Sequence, residues 1–326
     1  CLTEKLEEII NKISDEEKKK EFTQQLADIV LANLKPFGRS RLYVKKDEVA
    51  LQKRVKNQTD KDYYQELDVE KDASAEEINQ KAEEKIAQLE SSTDESTETK
   101  IELKKIKEAQ QVLGDEKAKE NYDTAGIAPT IEYNLLQPEI LHLHLTKFSP
   151  TTLEDLQRIT QKFDKGDKLD TLIIDLRDNV GGAIDGLPYF FCWFIGSDQY
   201  AFQYFHQGEK EDHKTKLGWM PSLVRYKKVI VLINENTQSS AEVFASVLKK
   251  YNVGVLVGTP TKGWGTVEKV FPIENQISDS ETYSMFLVHR LTLRADGQPI
   301  EANGVTPHIN INSEDWQEKL SDYIPY

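Results

Sequence analysis

Apolar positions follow two kinds of pattern along this chain, and the change from one to the other divides it. Over the first part they recur three or four residues apart: Leu6, Ile9, Ile10 and Ile13, then Phe22, Leu26, Ile29, Val30 and Leu34, with lysine and glutamate between them. That spacing sets one side of a helix against a partner and the other in water. Leu34-Lys-Pro-Phe-Gly38 interrupts it, since proline and glycine both break helices. Residues 1–60 therefore read as a polar helical segment, a packing or dimerising hairpin without chemistry of its own.

Helical spacing continues over residues 61–126. Ser74 with Glu77 makes a capping box at the head of one long helix, and Ala109, Val112 and Leu113 form the apolar side of another. Residues 127–136, which include Pro129, read as a linker. After Pro138 the period changes to two, in Ile140-Leu-His-Leu-His-Leu145, and helical spacing returns at Leu153, Leu156, Ile159 and Phe163. Thr171-Leu-Ile-Ile-Asp-Leu176 and Lys228-Val-Ile-Val-Leu-Ile-Asn234 are near-continuous apolar runs of the kind found in central parallel strands. The segment from Ala241 to Tyr251 is an amphipathic helix. Val253 to Gly258, Val267 to Phe271 and Tyr283 to Leu293 read as strands, and Trp316 through Tyr323 as a closing helix. Tyr200 to Arg225 reads as a long polar and aromatic loop, a lid or substrate wall. Strands alternating with helices give a multidomain α/β protein whose core spans residues 137–326.

Composition narrows the partners. The chain has 326 residues, 38% hydrophobic and 30% charged, with a net charge of −14. That balance argues against nucleic-acid binding and offers no polybasic membrane patch. No run of about 18 apolar residues is present to span a bilayer. Of the two cysteines, Cys192 lies in an aromatic run and reads as a buried small hydrophobe. Cys1 is either an arbitrary cut or the lipid-attachment residue left when a lipoprotein signal is removed, and the second would place the protein outside the cytoplasm, anchored to a membrane.

The candidate chemistry sits in Thr237-Gln-Ser-Ser-Ala-Glu242, a polar turn between a buried strand and a helix, where open α/β sheets bind their ligands. Ser239 is the candidate nucleophile, and the exposed N–H groups of the helix would stabilise an oxyanion beside it. The same residues also read as a capping box in which the serine only caps. Arg177-Asp-Asn-Val-Gly-Gly182 follows a strand, and its paired glycines permit close approach of backbone N–H groups to a ligand. His142 and His144 share a strand face, but with no third ligand evident they read as a satisfied strand pair and not a metal site.

Four stretches together carry a resemblance: Leu172-Ile-Ile-Asp-Leu-Arg-Asp-Asn-Val-Gly-Gly182, Ser239-Ser-Ala-Glu242, Gly258-Thr-Pro-Thr-Lys-Gly-Trp-Gly-Thr-Val-Glu268 and Gly297-Gln-Pro-Ile-Glu-Ala-Asn-Gly-Val-Thr-Pro307. In order and spacing they resemble the tail-specific, or C-terminal processing, proteases of serine peptidase family S41 over about residues 137 to 312. The resemblance implies a crotonase-related core and hydrolysis of polypeptides through an acyl-enzyme on Ser239, with no cofactor. It implies oxyanion amides at Gly181 or Gly182 and at Ser240. The family's base is a lysine in Gly-Lys-Gly, oriented by Gln or Glu four residues later. Here the register gives Gly263-Trp264-Gly265 followed by Glu268. Either Lys262, two positions earlier and on the same side of an extended strand, supplies the base with Glu268 orienting it, or Trp264 fills the cleft and leaves a peptide- or ligand-binding relic.

Asp62-Tyr-Tyr-Gln-Glu-Leu-Asp-Val69, Asp72-Ala-Ser-Ala-Glu-Glu-Ile78 and Ile106-Lys-Glu-Ala-Gln-Gln-Val-Leu-Gly-Asp115 resemble the J domain of Hsp40 co-chaperones. The His-Pro-Asp turn that engages Hsp70 is missing. Glu90-Ser-Ser-Thr-Asp-Glu-Ser-Thr-Glu-Thr99 stands in its place, so the resemblance implies a spacer or substrate-handling module and not an Hsp70 partner.

Overall fold

The apolar runs at 171–176 and 228–234 become neighbouring strands at the centre of one sheet, and the apolar run at 187–195 becomes a buried helix. The computed structural model describes residues 2–92, 94, 96–163 and 168–323. In chain order it has α1 (Leu2–Asn11), α2 (Glu16–Ala32), β1 (Arg41–Val44), α3 (Lys45–Val55), α4 (Tyr63–Leu67), α5 (Ala75–Ser91), α6 (Thr97–Leu113) and α7 (Glu116–Ala125). The core follows with β2 (Ile131–Gln137), β3 (Ile140–Leu145), α8 (Thr152–Phe163), β4 (Thr171–Asp175), α9 (Leu187–Ile195), β5 (Tyr200–His206), β6 (Glu209–Lys214), α10 (Pro221–Val224) and β7 (Lys228–Ile233). It closes with α11 (Ser240–Lys250), β8 (Val255–Gly258), β9 (Thr266–Pro272), β10 (Tyr283–Leu293), β11 (Ile309–Asn310) and α12 (Trp316–Tyr323).

One sheet has the order β11-β8-β7-β4-β3-β2, parallel throughout except for β2, which runs antiparallel to β3. In β3 the leucines 141, 143 and 145 point into the core while His142 and His144 share the opposite face. His142 lies 2.9 Å from Asn134 Oδ1 and 3.2 Å from Asp175 Oδ2, and His144 lies 3.3 Å from Glu132 Oε2 and 3.2 Å from the Arg177 carbonyl. The second sheet is antiparallel: β9 lines one edge of β10, and β1 and β5 occupy successive stretches of the other edge, with β6 beyond β5.

The core gathers around α11. Phe244 meets Phe148, Phe190, Phe191 and Phe194 at ring-centroid distances of 5.4, 6.1, 5.5 and 6.2 Å. Aromatic packing of this kind fixes α11, and with it the turn at its head. α9 is apolar on every side because it is enclosed, and Cys192 within it is buried.

Helices α4 to α7 have their own core, including Tyr63, Leu67, Ile78, Ala82, Ile106, Ala109 and Leu113. The Ser74–Glu77 capping box forms, with N–H to oxygen distances of 2.9 and 3.2 Å. This unit meets the first sheet at its β2 edge, where Gln111 Nε2 donates to the Tyr133 carbonyl at 3.0 Å and Arg158 pairs with Asp115 at 2.8 Å.

Three segments differ from the sequence reading. Residues 1–60 are not wholly helical, because Arg41–Val44 forms β1 and completes a sheet of the core. The stretch read as a linker already enters β2 at Ile131. Tyr200 to Arg225 is largely the β5–β6 hairpin, in which Phe202 and Tyr204 are buried and Glu209 to Asp212 face solvent. Cys1 lies outside the described residues, as do Thr93 and Glu95 of the acidic stretch between α5 and α6.

Candidate active site

β7 empties at Asn234 into a short turn that α11 resumes at Ser240, and Ser239 is the hinge between them. Its backbone has φ 57° and ψ −126°, a conformation costly for any residue with a Cβ. The Glu242 N–H is taken by the Ser239 carbonyl at 2.8 Å, and the Ser239 side chain makes no cap hydrogen bond. The capping-box reading thus holds for the glutamate arm alone, and the hydroxyl remains uncommitted at the strand-to-helix bend, as in a nucleophile elbow.

The glycine loop comes to Ser239 as its sequence suggests. A Cβ on Gly181 would lie 2.6 Å from the Ser239 Cβ and 3.0 Å from the Ser240 nitrogen, and one on Gly182 would lie 2.0 Å from the Phe148 carbonyl oxygen. Only glycine fits either place, and φ is +80° and +134° at the two positions. The two segments are laced together: Gln238 N–H donates to the Asn179 carbonyl at 3.0 Å, Ser240 Oγ to the Gly182 carbonyl at 2.8 Å, and Thr237 Oγ1 to the Leu176 carbonyl at 2.8 Å. Of the three expected oxyanion donors, the Gly181 N–H is occupied by Asn179 Oδ1 at 2.8 Å. The N–H groups of Gly182 and Ser240 donate to no described residue.

Glu242 holds the turn in place. It is fully buried, at 0% exposure, yet every lone pair that matters is met. Oε2 accepts from the N–H groups of Ser239 at 2.9 Å and Trp264 at 2.7 Å, and Oε1 accepts from the Gly263 N–H at 2.7 Å and from the Thr261 hydroxyl. Burial pushes its carboxyl above the ordinary range, against the pull of those four donors. The carboxylate therefore joins Ser239 to the 261–264 segment. Sequence reasoning assigned it a local cap only; its signal is an acidic residue on the buried face of an amphipathic helix.

Lys262 is elsewhere than the sequence suggests. It is exposed and does not line the cavity beside Ser239, and its ammonium lies 5.3 Å from the centroid of the Trp264 ring. The expectation that residues 262 and 264 share a side required extended backbone between them, and Gly263 has φ +76°. Trp264 does line the cavity. Its indole is held between the Arg39 guanidinium, 3.5 Å from the ring centroid, and Glu268, whose Oε1 accepts from Nε1 at 3.3 Å. Glu268 also accepts from Thr266 Oγ1 at 2.6 Å, and burial raises its carboxyl above the ordinary range. It orients the indole and is not paired with Lys262.

The cavity has a volume of about 470 Å³. One wall carries Ser239, Ser240, Gly181 and Gly182, and another Trp264 and Glu268. The third wall comes from the N-terminal segment: Arg41, Tyr43, Leu51, Arg54 and Val55. Sequence reasoning gave those residues no chemistry, and no local signal marks them, because the pairing of Arg41 to Val44 is with Tyr283 to Phe286, far along the chain. Among the described residues no histidine lines the cavity.

The chain is 27% identical over 195 residues to a carboxy-terminal-processing protease of Bartonella bacilliformis, covering 58% of this chain and 42% of that protein. It is 28% identical over 199 residues to the carboxy-terminal processing protease CtpA of Bacillus subtilis, covering 60% and 39%. The chain thus spans about two-fifths of the length of these relatives. Among solved structures, a lipoprotein from Streptococcus agalactiae aligns over 85% of this chain and 94% of its own, at 17% identity and a TM-score of 0.45. The model of peptidase family S41 matches residues 139–311, which include β3, the glycine loop, Ser239 and Glu268, and the chain therefore belongs to peptidase family S41.

Proposed function

We propose that this chain is a serine peptidase that hydrolyses peptide bonds of polypeptides laid along the cleft beside Ser239. The observation that carries the reading is the bend at Ser239: a positive-φ serine with an uncommitted hydroxyl, facing a loop that only glycine can bring so close. In this reading Ser239 Oγ attacks the scissile carbonyl carbon, and the N–H groups of Gly182 and Ser240 hold the oxyanion. Lys262 would serve as the base only after its stem leaves the Trp264 ring for the cavity and its ammonium gives up a proton; the amine then takes the hydroxyl proton and passes it to the leaving amine. Water then releases the acyl group from Ser239. The relatives, named as carboxy-terminal processing proteases, support a polypeptide substrate.

Incubation with a set of unstructured peptides, with products read by mass spectrometry, tests this. Cleavage by the wild type that vanishes in Ser239→Ala supports the reading; no cleavage, or cleavage that survives the substitution, overturns it.

One observation favours a second reading. Trp264 lines the cleft while Lys262 stands outside it, an arrangement suited to holding a peptide without cutting it. Under that reading wild type and Ser239→Ala bind peptides alike and neither cleaves, and Trp264→Lys, which returns an amine to the family's position, produces cleavage.

A further inference from the structure

The chain carries 56 acidic against 42 basic residues, yet three cations converge on the cavity beside Ser239: Arg41, Arg54 and Lys147. Among the described residues none of the three is ion-paired with a carboxylate. The Arg41 guanidinium lies 5.5 and 5.3 Å from the ring centroids of Tyr43 and Phe286, which hold its stem and leave its charge unmatched. Lys147 donates to the backbone carbonyl of Arg54 at 3.2 Å, which joins the end of α3 to the segment following β3. Burial first, and then the neighbouring Arg54 charge, pull the Lys147 ammonium below the usual lysine range, so Lys147 and Arg54 sit close enough to oppose one another, and Arg41 lines the same cavity. Of the two carboxyl groups that share the cavity, Glu268 is engaged by Thr266 and Trp264, and Asp185 is exposed.

Unpaired cations clustered on a partly apolar wall form a site waiting for an anion. Leu51, Val55 and Phe148 line the same cavity and suit the stem of a peptide residue. We infer that Arg54, Lys147 and Arg41 form a carboxylate-binding subsite, so that the polypeptide taken beside Ser239 is acidic there. The carboxylate is either the chain's own C-terminus or a glutamate or aspartate side chain. This deepens the peptidase reading and rests on it for the identity of the ligand as a polypeptide.

The test uses the full chain carrying Ser239→Ala and fluorescence anisotropy with four labelled peptides of one length. One has internal glutamates and a free C-terminus; the others replace glutamate by glutamine, amidate the C-terminus, or do both. The doubly neutral peptide is expected to bind about tenfold more weakly than the fully acidic one, a preference that shrinks with added salt. Whichever single neutralisation reproduces the loss identifies the source of the carboxylate. Arg54→Gln and Lys147→Gln should each reduce the preference, and Arg54→Lys should keep most of it. Equal binding of acidic and neutral peptides, a preference unmoved by those substitutions, or no binding of any peptide overturns the inference. The two readings fail separately: an acid preference without cleavage by the wild type leaves the subsite standing and removes the hydrolase, and cleavage indifferent to charge does the reverse.

Discussion

Glu242→Gln changes one oxygen for an NH2 group and leaves the shape of the side chain alone. In the native protein that carboxylate serves donors only: the N–H groups of Ser239, Gly263 and Trp264 and the Thr261 hydroxyl. An amide NH2 on the Ser239 and Trp264 side would orphan two N–H groups. On the other side Thr261 could turn to accept, which leaves the Gly263 N–H orphaned, so the side chain settles there. One buried orphan costs about 1–3 kcal/mol, and the surviving bonds lose their charge assistance. Relief of the buried charge offsets part of this, since burial already disfavours the ionised form. The expected net loss is about 1–3 kcal/mol, or a fall in Tm of roughly 3–9 °C for a domain of this size. Because the same bonds hold the strained bend, labelling of Ser239 by a fluorophosphonate should slow on the order of tenfold. If Glu242 were merely a helix cap, its remaining oxygen would turn to the Ser239 N–H and the loss would be about 0.5–1 kcal/mol with labelling intact. A Tm within about a degree of wild type and an unchanged labelling rate would refute the staple.

Gly181→Ala should cost about 1–2 kcal/mol for its left-handed backbone and, because the new methyl would lie 2.6 Å from the Ser239 Cβ, impair fluorophosphonate labelling more than thermal stability. Arg39→Ala strips the cation from the Trp264 ring and unpairs Glu301, held at 3.0 Å in a pair whose side chains are 17% and 14% exposed; it should destabilise by about 1–3 kcal/mol in thermal unfolding, with Arg39→Lys intermediate. His144 and Glu132 give a pH dependence with a definite sign. The hydrogen bond to Glu132 raises His144, so its contribution is complete below about pH 6.5 and lost as pH rises through its folded value. The same bond lowers Glu132, whose contribution is lost as pH falls through its own folded value. Glu132 is 38% exposed, so screening limits the pair to under about 1 kcal/mol. Urea unfolding of wild type and His144→Gln should therefore differ most near pH 5–6 and converge by about pH 9; a constant difference across that range would contradict the pairing.

What the sequence makes legible is what local pattern determines. The apolar runs 171–176 and 228–234 become β4 and β7, the spacing of Val243, Phe244, Val247 and Leu248 becomes the buried face of α11, and the glycine pair meets Ser239. The features that escape depend on distant partners or on one unusual backbone angle. Arg41-Leu-Tyr-Val44 is a short strand with no apolar run to mark it, and it exists because β10 offers an edge. Glu242 reads locally as half of a capping box, and only the return of residues 261–264 gives its second oxygen donors. The two-residue period of an extended strand turns Lys262 to the same side as residue 264 and toward Ser239, and the left-handed Gly263 breaks that period. The polar residues of Tyr200 to Arg225 give that segment the look of a loop, yet Phe202 and Tyr204 alternate inward with the period of a strand.

Ser239, the proposed nucleophile, sits at a strained bend beside the Gly182 and Ser240 N–H groups proposed to hold an oxyanion. Exposure of the wild-type chain to a fluorophosphonate, followed by peptide mapping, tests this proposal most directly. The expected result is a single phosphonyl adduct on Ser239 that forms faster than any background modification and is absent from Ser239→Ala. An unmodified Ser239 in a folded chain that still binds peptides would contradict it.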